Sequence, residues 1–203
     1  MASYSGLSTY RKCPRLYGFG LLKYKPIEVP EPLMAGQLVH AAVAAHFKNT
    51  SPQEAMVKVV AANVERIEAA QLDNKKRAKY LKSVGTSHTR ALELVSRYIG
   101  KWTADYSAPL IETWVTLGNA RGIIDLIAFY QEQRVIVDYK TSKSPDMRWY
   151  DVSGQIDLYA YMLSKRGKSI AFAEVEPLLV IYDIISDEGI YRQVRPPRLE
   201  AGK

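Results

Sequence analysis

The stretch Arg121-Gly-Ile-Ile-Asp125-Leu-Ile-Ala-Phe-Tyr130-Gln-Glu-Gln-Arg-Val135-Ile-Val-Asp138-Tyr-Lys140 decides the reading of this chain. Two runs of β-branched and aromatic residues flank the short polar segment Gln131-Glu132-Gln133, the pattern of two strands joined by a tight turn. Each run carries one carboxylate, Asp125 or Asp138, among residues that favour burial. An unpaired buried carboxylate costs several kcal/mol, so each must meet a cation, several hydrogen-bond donors or water. A two-residue turn at Gln131 and Glu132 sets Tyr130 opposite Gln133 and therefore Asp125 opposite Asp138. In that register their Cβ atoms lie about 4.5 to 5.5 Å apart, close enough to share one hard cation. A slip of one residue separates them. Strand alternation puts Asp138 and Lys140 on one side and Tyr139 on the other, so a carboxylate and an ammonium can serve one site. The same spacing also fits an ordinary edge-strand ion pair.

Further strands are expected at Leu110 to Leu117, Leu178 to Ile185 and Ile190 to Arg195, with a helix from Val152 to Leu163 between the third and fourth strands. The first half reads differently. Gly36 to Phe47 is alanine-rich and favours helix; Pro52 opens a second helix to about Gln71, with Val57, Val60, Ala61, Val64 and Ile67 as its apolar face. A third runs from about Thr86 to Asp105 with Leu92, Val95, Ile99 and Trp102 at helical spacing. Residues 3 to 35 read as a Tyr-, Pro- and base-rich entry segment, whose latter part Pro26, Pro30 and Pro32 make irregular or extended. Helices, three strands, a helix and more strands predict an α/β fold: a central mixed sheet flanked by helices, with a helical N-terminal half. With 203 residues and no linker or repeat, one domain spanning 1–203 is expected, mainly helical over 1–108 and sheet-bearing over 109–195.

Composition narrows the partners. Lys and Arg number 28 against 21 Asp and Glu, a net charge of +7, so the surrounding field favours polyanions, nucleic acid foremost, although such charges also simply keep a protein solvated. The basic residues cluster at Arg11, Lys12 and Arg15, at Lys75 to Lys82, at Lys165 to Lys168, and at Arg192, Arg195 and Arg198. The single cysteine, Cys13, excludes an intramolecular disulfide and points to a reducing, intracellular setting. No run of about 18 apolar residues and no signal-peptide pattern is found, so neither membrane insertion nor secretion is expected.

Other candidates follow from helical spacing. His40 shares a stripe with Val43 and Phe47, where an imidazole serves as a ligand or as a hydrogen-bonded core residue. Gln155 and Tyr159, four apart, occupy one helix face, suited to phosphate oxygens or bases and equally to an ordinary polar surface. Trp149 and Tyr150 nearby are a weaker suggestion for base stacking.

Taken in order, Ser5 to Tyr10 with Cys13-Pro14-Arg15-Leu16-Tyr17, Gly36-Gln37-Leu38-Val39-His40, Gly122-Ile123-Ile124-Asp125, Val137-Asp138-Tyr139-Lys140-Thr141 and Gln155-Ile156-Asp157-Leu158-Tyr159 resemble the RecB-like branch of the PD-(D/E)XK nuclease superfamily, which includes CRISPR-associated RecB-like exonucleases. The resemblance covers most of the chain. It implies a restriction-endonuclease-like fold and Mg²⁺ or Mn²⁺ bound by His40, Asp125, Asp138 and the Tyr139 carbonyl. Lys140 then places or activates the attacking water, Gln155 and Tyr159 position DNA, and Glu112 is a further candidate near the metal. The implied reaction is phosphodiester hydrolysis leaving 5′-phosphate and 3′-hydroxyl ends, by an exonuclease of DNA recombination, repair or phage DNA metabolism, in the cytoplasm. A catalytically silent DNA-binding or assembly subunit and an RNA-directed nuclease are the alternatives. Many relatives tie their chain ends with an iron–sulfur cluster on four cysteines. Cys13 stands alone, so no such cluster is expected; Cys13 becomes a small buried apolar residue, and the chain from Pro196 needs another anchor. So short a chain leaves sequence selectivity low or supplied by a protein partner.

Overall fold

The computed structural model describes residues 3–22, 27–145, 154–165 and 179–198. Five helices come first: α1 (Tyr4–Lys12), α2 (Pro14–Leu21), α3 (Glu31–Phe47), α4 (Pro52–Glu68) and α5 (Asn74–Ile99). A 3₁₀ turn at Thr103–Asp105 leads into β1 (Ser107–Leu117), β2 (Ala120–Tyr130) and β3 (Gln133–Ser142). Helix α6 (Gln155–Lys165), β4 (Leu179–Ser186) and β5 (Ile190–Arg195) follow among the described residues.

Caps explain the starts. The Ser3, Ser51 and Asp73 side chains accept from Gly6 N, Glu54 N and Lys76 N at 3.0, 3.2 and 2.8 Å. Each satisfies one of the amides a helix leaves unpaired at its N-terminus. Proline opens α2 and α4 and falls in the first turn of α3, positions where its missing N–H costs nothing. This corrects the reading of the latter part of residues 3 to 35 as irregular or extended: Pro30 and Pro32 start α3 rather than break the chain, and α1 and α2 make the earlier part of the segment helical. Likewise the third long helix, capped by Asp73, starts at Asn74, twelve residues before Thr86, so the Lys75 to Lys82 cluster is helical. The apolar stripes are also rotated from those expected. Met56 and Leu94 are fully buried, whereas Val57 and Leu92 are exposed. Of the expected Val152 to Leu163 helix, residues 152 and 153 lie outside the described residues.

Helix α3 is apolar nearly all round, with Met34, Ala35, Leu38, Val39 and Ala42 to Ala45 buried. Such a helix has to be covered on every side. It is packed by α4, α5 and β3, and this places His40 against the sheet.

The sheet runs in the order β1-β2-β3-β4-β5. Among the described strands only β3 and β4 pair in parallel, and α6 lies in the chain between them. One face carries Leu126, Ala128, Val135, Val137, Tyr139 and Ile181 against α3, α4 and α5. The other carries Val115, Ile124, Ile136, Val180 and Tyr182 against Ile156, Tyr159, Ala160 and Met162 of α6. This mixed, helix-covered sheet is the restriction-endonuclease-like α/β architecture expected.

The β2–β3 turn is the two-residue one. Tyr130 faces Gln133, and Gln131 and Glu132 both take positive φ, 49° and 64°, as a type I′ turn demands. The expected register therefore holds from Tyr130↔Gln133 to Leu126↔Val137, where the β2–β3 ladder stops. The β3–β4 ladder continues to Ser142↔Ser186, so β2 and β3 part at the level of Asp125 and Asp138.

Candidate active site

The groups converge in the gap where β2 leaves β3. Asp125 Oδ2 accepts the Tyr139 amide at 3.0 Å, a side chain replacing a strand partner. Asp125 Oδ1 lies 3.4 Å from His40 Nδ1, and His40 Nε2 lies 2.9 Å from the Tyr139 carbonyl. A carbonyl only accepts, so Nε2 carries a proton in this contact. Lys140 Nζ sits 2.6 Å from Asp138 Oδ2 and donates to Gln155 Oε1 at 3.3 Å; Gln155 Nε2 donates to the Tyr159 hydroxyl at 3.2 Å. Thus His40, Asp125, Asp138, Tyr139, Lys140, Gln155 and Tyr159 form one connected group drawn from α3, β2, β3 and α6.

Two glycines make the approach possible. A Cβ on Gly122 would lie 2.3 Å from the Tyr159 ring, and one on Gly36 would lie 3.0 Å from Thr141 Oγ1. Gly122 therefore lets Tyr159 lie flush on β2, and Gly36, one turn before His40, lets α3 close on β3.

The charges are mutually adjusted. Burial disfavours charge on His40, but the hydrogen bond and negative charge of Asp125, with Asp138, prevail and hold its pKa above the usual value. Burial likewise raises the Asp138 carboxyl against the pull of Lys140. Desolvation lowers the Lys140 ammonium, yet Asp138 outweighs it and the net shift is upward, so Lys140 is an ammonium at neutral pH. Lys140 in this state donates hydrogen bonds and cannot act as a base.

Among the described residues no group of three or more His, Cys, Asp or Glu side chains is drawn tightly enough to hold a metal ion as it stands. The Lys140 ammonium instead lies against Asp138, and His40 Nδ1 faces Asp125. The donors nevertheless fit a hard divalent cation: two carboxylates, a carbonyl and an imidazole within reach of one another. Asp138 Oδ2 is buried without an aligned hydrogen-bond donor, Lys140 approaching it only as a charge. A cation would satisfy that oxygen.

Glu112 occupies the β1 position that continues the β1–β2 register opposite Asp125, between Ile111↔Leu126 and Thr113↔Ile124. Its backbone is left-handed there, φ 50°, and its carboxylate pairs with Lys48. An open cleft of about 660 Å³ is lined by Leu33, Gly36, His40, Glu112, Tyr139 and Lys140 among others, so Glu112 shares its wall with the central group. Trp149 and Tyr150 lie outside the described residues.

Sequence reasoning missed two polar clusters. Asp183, fully buried, faces Tyr139 on β3 and Arg192 on β5; it binds Arg192 at 2.6 and 2.9 Å and accepts from Tyr98 and Tyr106 at 2.6 and 2.7 Å. Asp183 reads as an interruption of the apolar run Leu179 to Ile185, which was the available signal. Asp157 takes a bidentate contact from Arg195 at 2.7 and 2.9 Å and the Arg198 amide at 2.9 Å. It ties the segment after β5 to α6 and is the anchor the chain end needed. Cys13 is exposed, correcting its expected burial.

A carboxylate pair beside a lysine, at the parting of two strands of a mixed sheet, is a site suited to phosphodiester chemistry. The chain belongs to the PD-(D/E)XK nuclease superfamily: the model of that family matches residues 1–200. The nucleases of this superfamily generally use divalent metals such as Mg²⁺ or Mn²⁺, and membership implies contact with nucleic acid. Among solved structures, the chain is similar to one titled "Crystal structure of SSO0001", at 14% identity over 87% of this chain and 70% of that one, with a TM-score of 0.34. A search of the curated proteins gives no match. Among the described residues no helix is long and apolar enough to cross a membrane.

Proposed function

We propose that the chain is a divalent-metal-dependent deoxyribonuclease of the RecB-like kind, an exonuclease of DNA recombination, repair or phage DNA metabolism. The convergence of His40, Asp125, Asp138 and Lys140 where β2 and β3 part, in a chain of this superfamily, carries the reading. Asp125, Asp138, the Tyr139 carbonyl and His40 would hold Mg²⁺ or Mn²⁺. When bound, the ion supplies Lewis acidity at a phosphoryl oxygen and a lowered pKa for a coordinated water.

The chain's own residues supply the rest. His40 would serve as a ligand in its neutral form, beside the Tyr139 carbonyl that its Nε2 contacts. Lys140, an ammonium beside Asp138, would donate to a phosphoryl oxygen or orient the attacking water. Gln155 holds Lys140 in place, and Tyr159, buried against β2, holds Gln155, so these two set the ammonium's position and through it position the DNA. Hydrolysis then leaves a 5′-phosphate and a 3′-hydroxyl. Specificity beyond this is low or comes from a protein partner.

Cleavage of end-labelled single- and double-stranded DNA with Mg²⁺ or Mn²⁺, with EDTA controls, tests the proposal. Asp138→Ala and Lys140→Ala abolish cleavage while salt-sensitive DNA binding persists. Cleavage at the wild-type rate by Asp138→Ala contradicts it. Turnover of RNA alone moves the assignment to an RNA-directed nuclease, and metal-independent binding without turnover to a silent subunit.

A further inference from the structure

The outer face of the β1–β2 hairpin has no role in the chemistry above, and its residues are unusual for a strand face. Trp114 and Ile123 stand directly opposite each other and are 56% and 39% exposed. The next pair of that alternation is Thr116 and Arg121, with Arg121 exposed. Gly122 fixes which face this is: its missing Cβ points at the Tyr159 ring, so Arg121 and Ile123 on either side of it project away from α6. Two residues in the other direction along the same strands lie Glu112, on the cleft wall, and Asp125, in the central group. The separation is about 7 Å of strand. An exposed tryptophan on an isoleucine, with an arginine at the next rung, thus begins where the cleft wall ends.

We propose that this face is a stacking platform for unpaired bases, which leads a single-stranded nucleic acid into or out of the cleft. The proposal rests on the nuclease reading for the strand's destination. The occupant is argued from chemistry. A large apolar ring left exposed beside a cleft marks a contact surface. An indole stacks on any base face, while Arg121 offers a cation to the backbone or a planar guanidinium to a base. The chain's charge of +7 favours a polyanion over a neutral partner. Bases within a duplex already stack on one another and offer no free face, so the platform discriminates for single strands or frayed ends.

The test measures binding apart from cleavage. Fluorescently labelled oligo(dT), oligo(U), an abasic oligonucleotide of equal length and charge, and a blunt duplex are titrated into the full chain in EDTA at fixed salt. Trp114→Ala weakens oligo(dT) and oligo(U) binding about 5- to 100-fold and leaves the abasic strand and the duplex unchanged, and Trp114→Phe recovers most of the loss. Equal weakening for all four ligands, or no weakening for any, overturns the platform. A Trp114→Ala chain that binds oligo(dT) normally but changes its sedimentation shows a protein interface and also overturns it. The two readings fail separately. Wild-type protein that binds oligo(dT) through Trp114 but cleaves nothing with Mg²⁺ or Mn²⁺ loses the nuclease reading and keeps the platform; normal cleavage with unchanged Trp114→Ala binding does the reverse.

Discussion

Replacing Asp183 by asparagine keeps the shape of the side chain and removes its charge. Asp183 is fully buried and the Arg192 side chain is 5% exposed, so the guanidinium has little access to water. Arg192 is held by both Asp183 oxygens and, on its outer side, by Asp105 at 2.7 Å, and it lies 4.5, 4.7 and 5.1 Å from the ring centres of Trp102, Tyr106 and Tyr130. Burial raises the Tyr98 and Tyr106 hydroxyls well above their usual pKa, so both remain donors and need an acceptor. An asparagine offers one acceptor oxygen and turns its amide on groups that are themselves donors. Breaking a buried charge pair in this way costs about 3–5 kcal/mol. In a chain of this size each kcal/mol moves Tm by about 2–4 °C, giving a fall of roughly 6–20 °C for Asp183→Asn. Thermal and urea unfolding measure it. Exchanging both partners for apolar residues, Asp183→Leu with Arg192→Met, recovers part of the loss because no charge is stranded. A Tm within 2 °C of wild type for Asp183→Asn, or a double variant no better than the single, refutes the reasoning.

Three other outcomes follow from geometry. Gln131→Asn with Glu132→Gly relieves two left-handed residues in the β2–β3 turn and raises stability by about 1–2 kcal/mol, read as a higher urea midpoint with unchanged slope. Gly122→Ala drives a methyl into the Tyr159 ring, costs about 1–3 kcal/mol and lowers cleavage by displacing Tyr159 and Gln155; Gly36→Ala, which meets only the Thr141 hydroxyl, is milder in both urea unfolding and turnover. His40 has a folded pKa above its unfolded value of about 6.5, so the stability it contributes is complete below that value and is lost as pH rises through the folded pKa. In EDTA, His40→Gln is therefore less stable than wild type near about pH 5.5, and the gap closes toward about pH 9.

The legible part of the fold was the part set by local rules. Alternation and a polar turn located β2, β3 and their register, and the cost of burying a carboxylate singled out Asp125 and Asp138. Helical spacing put His40 on the face that meets β3. The illegible part depended on contacts remote in sequence. Prolines 30 and 32 lie equally well in an extended segment or a first helical turn, and packing of α3 against α4 and α5 selected the helix. Asp183 needed Tyr98, Tyr106 and Arg192 from three other segments before its burial made sense. Asp157 sat inside the Gln155 to Tyr159 motif, yet its task is set by Arg195 and Arg198. The left-handed backbone at Glu112 left no mark in composition, because a glutamate there is unfavourable unless the hairpin imposes it.

The central claim is that His40, Asp125, Asp138 and the Tyr139 carbonyl serve one divalent ion beside Lys140. Anomalous diffraction from a crystal soaked in Mn²⁺ measures it most directly. A single strong peak is expected in the gap between β2 and β3, bonded to both aspartates and the carbonyl, with His40 as a further ligand. A protein saturated with Mn²⁺ that shows no peak there, with Asp138 still paired to Lys140, contradicts it.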